Sequence, residues 1–381
     1  MKTSIDKTYF DIFYLISAAL NNFNVDEDII RQIDFNNLYL LCKKHSLIAL
    51  VSWALEKSTF FKSQDMRIQK AFLSVRDATI HKTILFNNER LEMLNELEKI
   101  GCYYVPLKGI NIINYYPCLG MREFADNDIL FDPKLKKEVK RIFLSRGYQI
   151  KTYNKSHHDV YIKKPIFNFE MHRYLFDKDK TNKFAIYFKD VFLRTIKDDN
   201  SNFGYHFSDN DDYLYNLAHA YKHYYKSGNG LRYLVDIYVY NKFKGQALDQ
   251  SYLSNKFNKL EIADFEMQSK ALAFKLFDKH QYKKEFSEEE LSMLLYILDS
   301  ETYGQLKNQI NKYINQHKGH KLSYVLHRIY PGFDYLKHYH PFYAYTIVFI
   351  PLFIILRVLS AFTWKRHQAH KEMSYVNKYK K

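Results

Sequence analysis

Cysteine is scarce in this sequence. Its three cysteines, Cys42, Cys102 and Cys118, are odd in number, far apart and without the spacing of a metal site. A disulfide framework is therefore not expected, and a reducing compartment is indicated. The first thirty residues also lack the apolar centre of a signal peptide, because charged positions interrupt them throughout. We therefore expect a cytoplasmic protein.

The sequence also lacks an apolar run of the length that a transmembrane helix needs, which is about 20 residues. The uncharged segment 341–356 falls short of that length, and Pro351 interrupts it. A buried or interfacial helix is favoured over a membrane span, and a loosely docked tail is a third alternative. If the segment touches a membrane, Lys365, Arg366 and Lys371 place the tail on the cytoplasmic side.

Basic residues outnumber acidic ones. There are 57 Lys and Arg against 42 Asp and Glu, which gives a net charge of +15 at pH 7. This balance favours anionic partners such as nucleotides, nucleic acid or acidic lipid headgroups. Because the excess is spread along the chain, a solvated basic surface is an equal alternative to a binding patch. With 381 residues and an apolar fraction of 47%, the chain can bury the cores of two or three packed units.

Hydrophobic periodicity divides the chain into three parts. Apolar positions at helical spacing predict a helical N-terminal lobe over residues 1–100 and a helical C-terminal lobe over residues 209–381. Between them, residues 101–208 alternate short extended runs with helical ones, which predicts a small α/β core with a mixed sheet. The expected fold is therefore α+β. The extended runs of the core are 102–107, 129–131, 148–153, 159–163 and 166–174.

Two acidic residues, Asp126 and Asp128, flank Asn127 at the start of the second extended run. Residues i and i+2 of a strand point to the same face, so both carboxylates would face one spot. Carboxylates held that close repel each other unless a cation neutralises them, and Mg²⁺ prefers oxygen ligands. Glu170, on a later extended run, is the candidate third ligand. Alone, an Asp-X-Asp pair is a weak signal, and a solvated strand-end pair is the alternative.

Two features near the acidic pair add weight to it. Lys108 and Gly109 lie at a turn between a predicted strand and a helix start. At such a turn, backbone N–H groups and an ammonium group can hold a phosphate. Arg122, shortly before the acids, would supply a second cation.

Together these motifs resemble the uncharacterised nucleotidyltransferase family of the polymerase-β-like superfamily. The motifs that carry the resemblance are Leu107-Lys-Gly, Tyr116-Pro, Arg122, the Asp126-X-Asp128 pair and Glu170-Met-His172. A helical block from Leu217 to Asp236 is also similar, so the resemblance covers residues 80–245.

The resemblance implies a minimal nucleotidyltransferase fold that transfers a nucleotidyl group from an NTP with the help of two Mg²⁺ or Mn²⁺ ions. It implies that Asp126 and Asp128 bridge the two ions, and that Glu170 binds the second ion and helps to deprotonate the attacking hydroxyl. The residues that would bind the triphosphate are Lys108, Gly109 and Arg122.

The sequence departs from the wider superfamily at Lys108-Gly109, at Glu170 and at Asn127, which stands where an apolar residue is more usual. Lys108 and Gly109 stand where a Gly-Ser turn is usual, so no serine hydroxyl can contact the triphosphate in the usual way. Glu170 stands where many relatives have Asp, and its longer side chain makes it the least secure of the three acids.

Four residues of the C-terminal part have both a structural and a functional interpretation. His219 and His223 lie four apart on a predicted helix, a spacing that can ligate zinc, although a polar, cleft-lining role is favoured. Arg232 and Asp236, also four apart, predict an intrahelical ion pair, with a place in the same cleft as the alternative.

Three further histidines lie on or near the extended runs. His157 and His158, followed by Asp159, look like a hydrolase cluster only superficially, and a structural place at a strand turn is favoured. His172 is predicted to be a partner of Glu170 rather than a general base.

Three hypotheses of different classes follow. The favoured one is an enzyme that transfers NMP, with AMP preferred, to a hydroxyl of a small molecule, sugar, protein or RNA. The second is a catalytically silent relative that binds nucleotide or RNA as an adaptor. The third is a membrane-surface accessory protein with a peripheral membrane contact through residues 341–381.

Overall fold

The computed structural model describes residues 5–123, 125–177, 182–300, 306–317, 319–363 and 366–379. Contacts within the chain divide it into two units. The first unit consists of residues 1–221 and 230–302, and the second consists of residues 222–229 and 303–381. Helices flank a small mixed sheet, so the fold is α+β, as predicted. The division into three parts at residues 100 and 208 stays a prediction.

The N-terminal part of the first unit is helical, as predicted for residues 1–100. Its helices are α1 Lys7–Asn21, α2 Glu27–Arg31, α3 Phe35–His45, α4 Ile48–Leu55, α5 Thr59–Lys62 and α6 Met66–Lys99. Asp6, Asp34 and Asp65 each accept a hydrogen bond from a backbone N–H group of the following helix. These caps satisfy donors that a first helical turn leaves open.

A five-stranded mixed sheet follows within the described residues. Its strands are β1 Tyr104–Pro106, β2 Asn127–Phe131, β3 Gln149–Thr152, β4 His158–Lys163 and β5 Phe167–His172. The spatial order is β1-β2-β5-β4-β3, in which β2 and β5 are parallel and the other neighbours are antiparallel. Helix α7 Gly109–Ile112 follows β1, and α8 Lys136–Ser145 connects β2 to β3. The mixed sheet predicted for residues 101–208 is therefore confirmed.

The two faces of the sheet differ in polarity. Ile129 on β2 and Met171 on β5 belong to a buried core that also contains Phe143 of α8. Because side chains alternate along a strand, Asp128 and Glu170 point to the opposite face. Burial of the apolar face against α8 thus fixes the direction in which both carboxyl groups point.

A β-hairpin that the sequence did not reveal lies beyond the sheet. Its strands are β6 Thr195–Lys197 and β7 Tyr205–Phe207, and helix α9 Lys183–Tyr187 precedes them. A bridge between Tyr104 and Gly204 joins the hairpin to β1. Each hairpin strand has 3 residues, which is too short for an alternating pattern to be recognised in the sequence.

The helical region predicted from residue 209 onward is present. Its helices in this part are α10 Asp209–Lys226, α11 Arg232–Lys244, α12 Gln250–Lys259, α13 Ala263–Phe277 and α14 Glu288–Ser300. Helices α12 and α13 are separated near Glu261, whose φ of 51° is outside the helical region.

The second unit is also helical. Its helices are α15 Leu306–Gln316, α16 Lys321–Ile329, α17 Phe333–Tyr339, α18 Pro341–Tyr345, α19 Ile350–Phe362 and α20 Arg366–Lys378. Ile314, Tyr324 and Val376 form part of a buried cluster. Arg328 donates two hydrogen bonds to the buried carboxylate of Glu372, which ties α16 to α20.

The uncharged segment 341–356 forms α18, a 3-10 turn and the first half of α19. Many of its large apolar side chains are exposed, among them Tyr345, Val348 and Ile355. These exposed side chains do not fit a helix that is buried throughout, and the interfacial placement of the segment stays a prediction. In the part of the chain that the structure describes, no helix combines the length and the hydrophobicity that crossing a membrane requires.

Candidate active site

Asp128 and Glu170 are neighbours across the centre of the sheet. The parallel pairing of β2 with β5 sets Asp128 directly opposite Glu170. One oxygen of each carboxyl group and one ring nitrogen of His172 all lie within 4.8 Å of one another. The structure thus brings the predicted third carboxylate next to Asp128, and its role as a metal ligand stays a prediction.

Asp128 is buried and contacts two nitrogen atoms through one oxygen. Lys108 Nζ donates to Asp128 Oδ1 at 2.6 Å, and His172 Nε2 lies 2.7 Å from the same oxygen. Burial by itself would raise the pKa of Asp128, but Lys108 and His172 outweigh it and hold that pKa well below its ordinary value. Asp128 is therefore an ionised carboxylate inside the protein at neutral pH.

Lys108 has an unusual backbone conformation for a lysine. Its φ is 54° and its ψ is −123°, a left-handed conformation that costs about 1–3 kcal/mol when a non-glycine residue adopts it. Such strain persists only where the surrounding structure holds it, and the ammonium group of Lys108 is paired with Asp128. The ammonium group that was predicted to bind phosphate is therefore engaged by a carboxylate in this structure.

Glu170 lies beside the negative charge of Asp128. Burial and that charge raise the pKa of Glu170 to about 8. The side chain remains 24% exposed, and its Oε2 lies 3.8 Å from Nε2 of both His158 and His172. At neutral pH the carboxyl group of Glu170 therefore carries a proton as long as no cation offsets the charge of Asp128.

Asp126 immediately precedes β2, which begins at Asn127. Alternation within the strand places Asp128 on the polar face, but it does not fix the direction of Asp126, which lies outside the strand. Asp126 is partly buried, and both burial and the charge of Asp128 raise its pKa. Because its carboxyl group also interacts electrostatically with Lys108 and Arg122, Asp126 lies at the edge of the same site.

Arg122 is held by Asp236 of α11. Its Nε and Nη2 donate to the two carboxylate oxygens at 2.7 and 2.9 Å, and Tyr116 Oη donates to the same carboxylate at 2.8 Å. A Cβ atom on Gly109 would lie 2.5 Å from Nη1 of Arg122. A side chain at position 109 would therefore displace the guanidinium group from the place where Asp236 holds it.

The predicted intrahelical ion pair between Arg232 and Asp236 is wrong, because each residue has another partner. Asp236 binds Arg122, and Arg232 Nη1 donates instead to the backbone oxygen of Glu123 at 2.9 Å. A spacing of four residues permits an ion pair on a helix, but a better-placed partner from another segment can replace it. Both side chains of α11 thus bind the segment that leads into Asp126.

His172 lies 3.8 Å from Glu170, its predicted partner, and closer, at 2.7 Å, to Asp128. Burial and the nearby charge of Lys108 lower the pKa of His172 to about 3, so the ring is neutral. An ionised carboxylate cannot donate, so His172 Nε2 carries the hydrogen and donates to Asp128. His172 therefore orients the carboxylate and does not serve as a base at this nitrogen.

Comparison with protein families decides the classification of the chain. A family model described as an uncharacterised nucleotidyltransferase matches residues 31–278, which is more than half of the sequence. The chain belongs to this nucleotidyltransferase family. The match extends on both sides beyond residues 80–245, where the sequence motifs lie. No curated protein and no solved structure matches the chain significantly.

The polar face of this nucleotidyltransferase family member fits a divalent cation. Asp128, Glu170 and His172 offer ligand atoms at mutual distances that one ion can span. Carboxylate oxygens are the ligands that Mg²⁺ prefers. Burial and the charge of Asp128 raise the pKa of the partly exposed Glu170, and a cation between the two carboxyl groups would remove their mutual repulsion.

Three residues that the sequence analysis did not single out border the site. Tyr215 on α10 is fully buried, and its hydroxyl interacts electrostatically with Lys108 and Asp128. Asn111 Nδ2 donates at 3.1 Å to Asp212, whose pKa burial raises to about 6. Nothing in the sequence marks Tyr215 among 34 tyrosines, because its position depends on how α10 packs.

His219 and His223 lie on α10. The ring centroid of His219 is 6.2 Å from that of Tyr215, which borders Asp128. His223 belongs to the second unit. The cleft-lining role of both residues stays a prediction.

Proposed function

We propose that this protein is a metal-dependent nucleotidyltransferase that transfers NMP, with AMP preferred, from an NTP to a hydroxyl acceptor. The observation that carries the proposal is the opposition of Asp128 and Glu170 on two parallel strands of a family member. Both carboxyl groups lie on the polar face of the sheet, and Asp126 lies beside them. The acceptor hydroxyl belongs to a small molecule, a sugar, a protein or RNA.

Asp126, Asp128 and Glu170 would hold the divalent cation or cations. A cation at these residues supplies positive charge for both the entering and the leaving oxygen of an in-line displacement. A cation that offsets the charge of Asp128 would release the proton that Glu170 carries in the cation-free site, and the Glu170 carboxylate could then accept the proton of the acceptor hydroxyl.

Positive charge for the phosphates would come from Arg122 and Lys108. The bidentate contact with Asp236 fixes the guanidinium plane of Arg122, so the charge is oriented before the substrate arrives. Gly109 lets the backbone of α7 lie against that guanidinium. Asp236 is therefore a positioning residue, because its contact with Arg122 holds the guanidinium group in place.

A label-transfer assay tests the proposal. Purified protein is incubated with each labelled NTP, Mg²⁺ or Mn²⁺, and cell extract. We expect cation-dependent transfer of label to one acceptor, with loss of transfer in Asp126→Asn and Glu170→Gln. Transfer that survives both substitutions would contradict the catalytic assignment. Tight cation-dependent nucleotide binding without any transfer would instead indicate a catalytically silent relative.

We also propose that α19 of the second unit contacts an anionic membrane surface. Five large apolar side chains lie exposed on this helix at spacings of one helical face, namely Leu352, Ile355, Leu356, Leu359 and Phe362. The helix has no acidic residue, and exposed Arg366 and Lys371 follow it on α20. An apolar face flanked by basic residues is typical of helices that lie in the interface of acidic bilayers.

Vesicle sedimentation tests this contact. We expect binding to vesicles that contain phosphatidylserine, weaker binding at high salt and little binding to vesicles of phosphatidylcholine alone. The double variant Ile355→Glu, Leu359→Glu should bind at least about tenfold more weakly, because each aliphatic side chain contributes about 1.5 kcal/mol or more on burial. Leu193→Glu, at an 87% exposed position of the first unit, is the control. Equal binding of the double variant and the control would exclude α19 as the contact.

A further inference from the structure

Three imidazole rings cluster beside the acidic face. His157, His158 and His172 each offer one ring nitrogen, and these atoms lie within 4.8 Å of one another. His158 and His172 are directly opposite each other in the antiparallel pairing of β4 with β5, and His157 immediately precedes β4. The structural role that the sequence favours for His157 and His158 does not explain why three rings converge.

Carboxylates orient two of the three rings. His157 Nδ1 lies 2.7 Å from Asp177 Oδ1, and His172 Nε2 lies 2.7 Å from Asp128 Oδ1. In a neutral ring the nitrogen that faces a carboxylate carries the hydrogen, so the other nitrogen keeps its lone pair. A carboxylate that holds one nitrogen while the other is left to a metal ion is the usual arrangement around histidine ligands.

One of the ring nitrogens that do not face a carboxylate has no hydrogen-bond partner among the described residues. His172 Nδ1 is buried and unpaired among the described residues, whereas buried polar atoms are nearly always paired. His172 is 1% exposed in its side chain, but His157 and His158 keep 10% and 22%. The two partly exposed rings therefore leave the cluster open to an ion from solvent.

The spacing of the other two rings also fits an ion. His158 Nδ1 lies 3.2 Å from His157 Nε2. Two nitrogen ligands of a tetrahedral Zn²⁺, each about 2.05 Å from the ion, are separated by about 3.3 Å. Imidazole nitrogens suit Zn²⁺ and its neighbours among the transition metals, whereas Mg²⁺ takes oxygen ligands.

We propose that His157, His158 and His172 form a binding site for a transition-metal ion of the Zn²⁺ class, beside the carboxylate site and sharing His172 with it. Asp177 and Asp128 orient the ligands, and three protein ligands leave a fourth position for water. The ion would fasten the segment before β4 to β5 and fix His172 against Asp128. This proposal does not rest on nucleotidyl transfer.

Metal titration of the wild-type protein is the first test. With Mg²⁺ in excess, we expect one Zn²⁺ per chain in competition with a chromogenic zinc chelator. Co²⁺ in its place should give the intense visible absorption of a tetrahedral site. Wild-type protein that takes up no stoichiometric Zn²⁺, or that gives the weak spectrum of octahedral Co²⁺, would overturn the proposal without any variant.

Four variants then locate the ion, each checked for an unchanged circular dichroism spectrum. His158→Ala should abolish stoichiometric binding, and Asp177→Asn should weaken it by about 10–100-fold. Glu170→Gln should bind Zn²⁺ as the wild type does. His206→Ala, which removes a histidine paired with Asp198 on the hairpin that joins β1, should also bind normally. Loss of Zn²⁺ in Glu170→Gln, or its retention in His158→Ala, would place the ion elsewhere and overturn the assignment.

Discussion

Replacing Asp128 with Asn is expected to lower NMP transfer at saturating NTP and Mg²⁺ by at least about 10³-fold. Asparagine keeps the shape of the side chain but removes the negative charge that Asp128 carries at neutral pH. A cation that stabilises the charge developing in the transition state lowers the activation free energy by several kcal/mol. Each 1.36 kcal/mol of activation free energy changes the rate about tenfold. The measurement is kcat for the labelled transfer reaction.

Asp132→Asn is the matched control for Asp128→Asn. Asp132 directly follows β2, and its carboxylate caps the next turn by accepting from Lys134 N at 2.9 Å. Asparagine caps a helical turn about as well as aspartate, so activity and stability should be unchanged. A loss of less than about tenfold in Asp128→Asn would show that this carboxylate does not hold a catalytic cation.

Replacing Asp236 with Ala is expected to lower the free energy of unfolding by about 3–5 kcal/mol, which is the usual cost of breaking a buried ion pair. The side chains of Arg122 and Asp236 are only 9% and 16% exposed. The variant leaves the guanidinium group buried without its carboxylate, and it also removes the acceptor of Tyr116. Urea-induced unfolding measures the change.

The control for Asp236→Ala is an exposed ion pair between Lys275 and Glu290, whose side chains are 38% and 22% exposed. Lys275→Ala should cost less than about 1 kcal/mol, because water and salt screen such pairs. Adding Arg122→Met to Asp236→Ala should restore part of the lost stability, because it removes the unpaired charge. Equal costs for Asp236→Ala and Lys275→Ala would contradict a buried, charge-bearing contact.

The sequence predicted the sheet well because its strands are apolar runs bounded by turns. The face on which Asp128 lies also followed from alternation, since Ile129 must enter the core. Glu170 was recognised as a candidate because it lies on an extended run with Phe169 beside it. The parallel pairing that sets Glu170 opposite Asp128 was not readable, because strand order is a property of the folded chain.

The contacts that the sequence could not reveal join distant segments. Arg122 and Asp236 are 114 residues apart, so spacing on the helix suggested Arg232 as the partner of Asp236. His157 and His158 were interpreted as structural because the sequence does not show that His172 lies next to them. The pairing of β4 with β5 in the folded protein brings His172 to them. The chemistry of a residue is visible in the sequence, whereas its partner depends on tertiary packing.

A crystal structure with Mn²⁺ and a non-hydrolysable NTP tests most directly whether Asp128 and Glu170 hold a catalytic cation. Anomalous scattering locates Mn²⁺ independently of the refined coordinates. We expect a peak about 2.1 Å from carboxylate oxygens of both Asp128 and Glu170, with the triphosphate beside it. A triphosphate and Mn²⁺ bound away from the polar face of β2 and β5 would contradict the proposed active site.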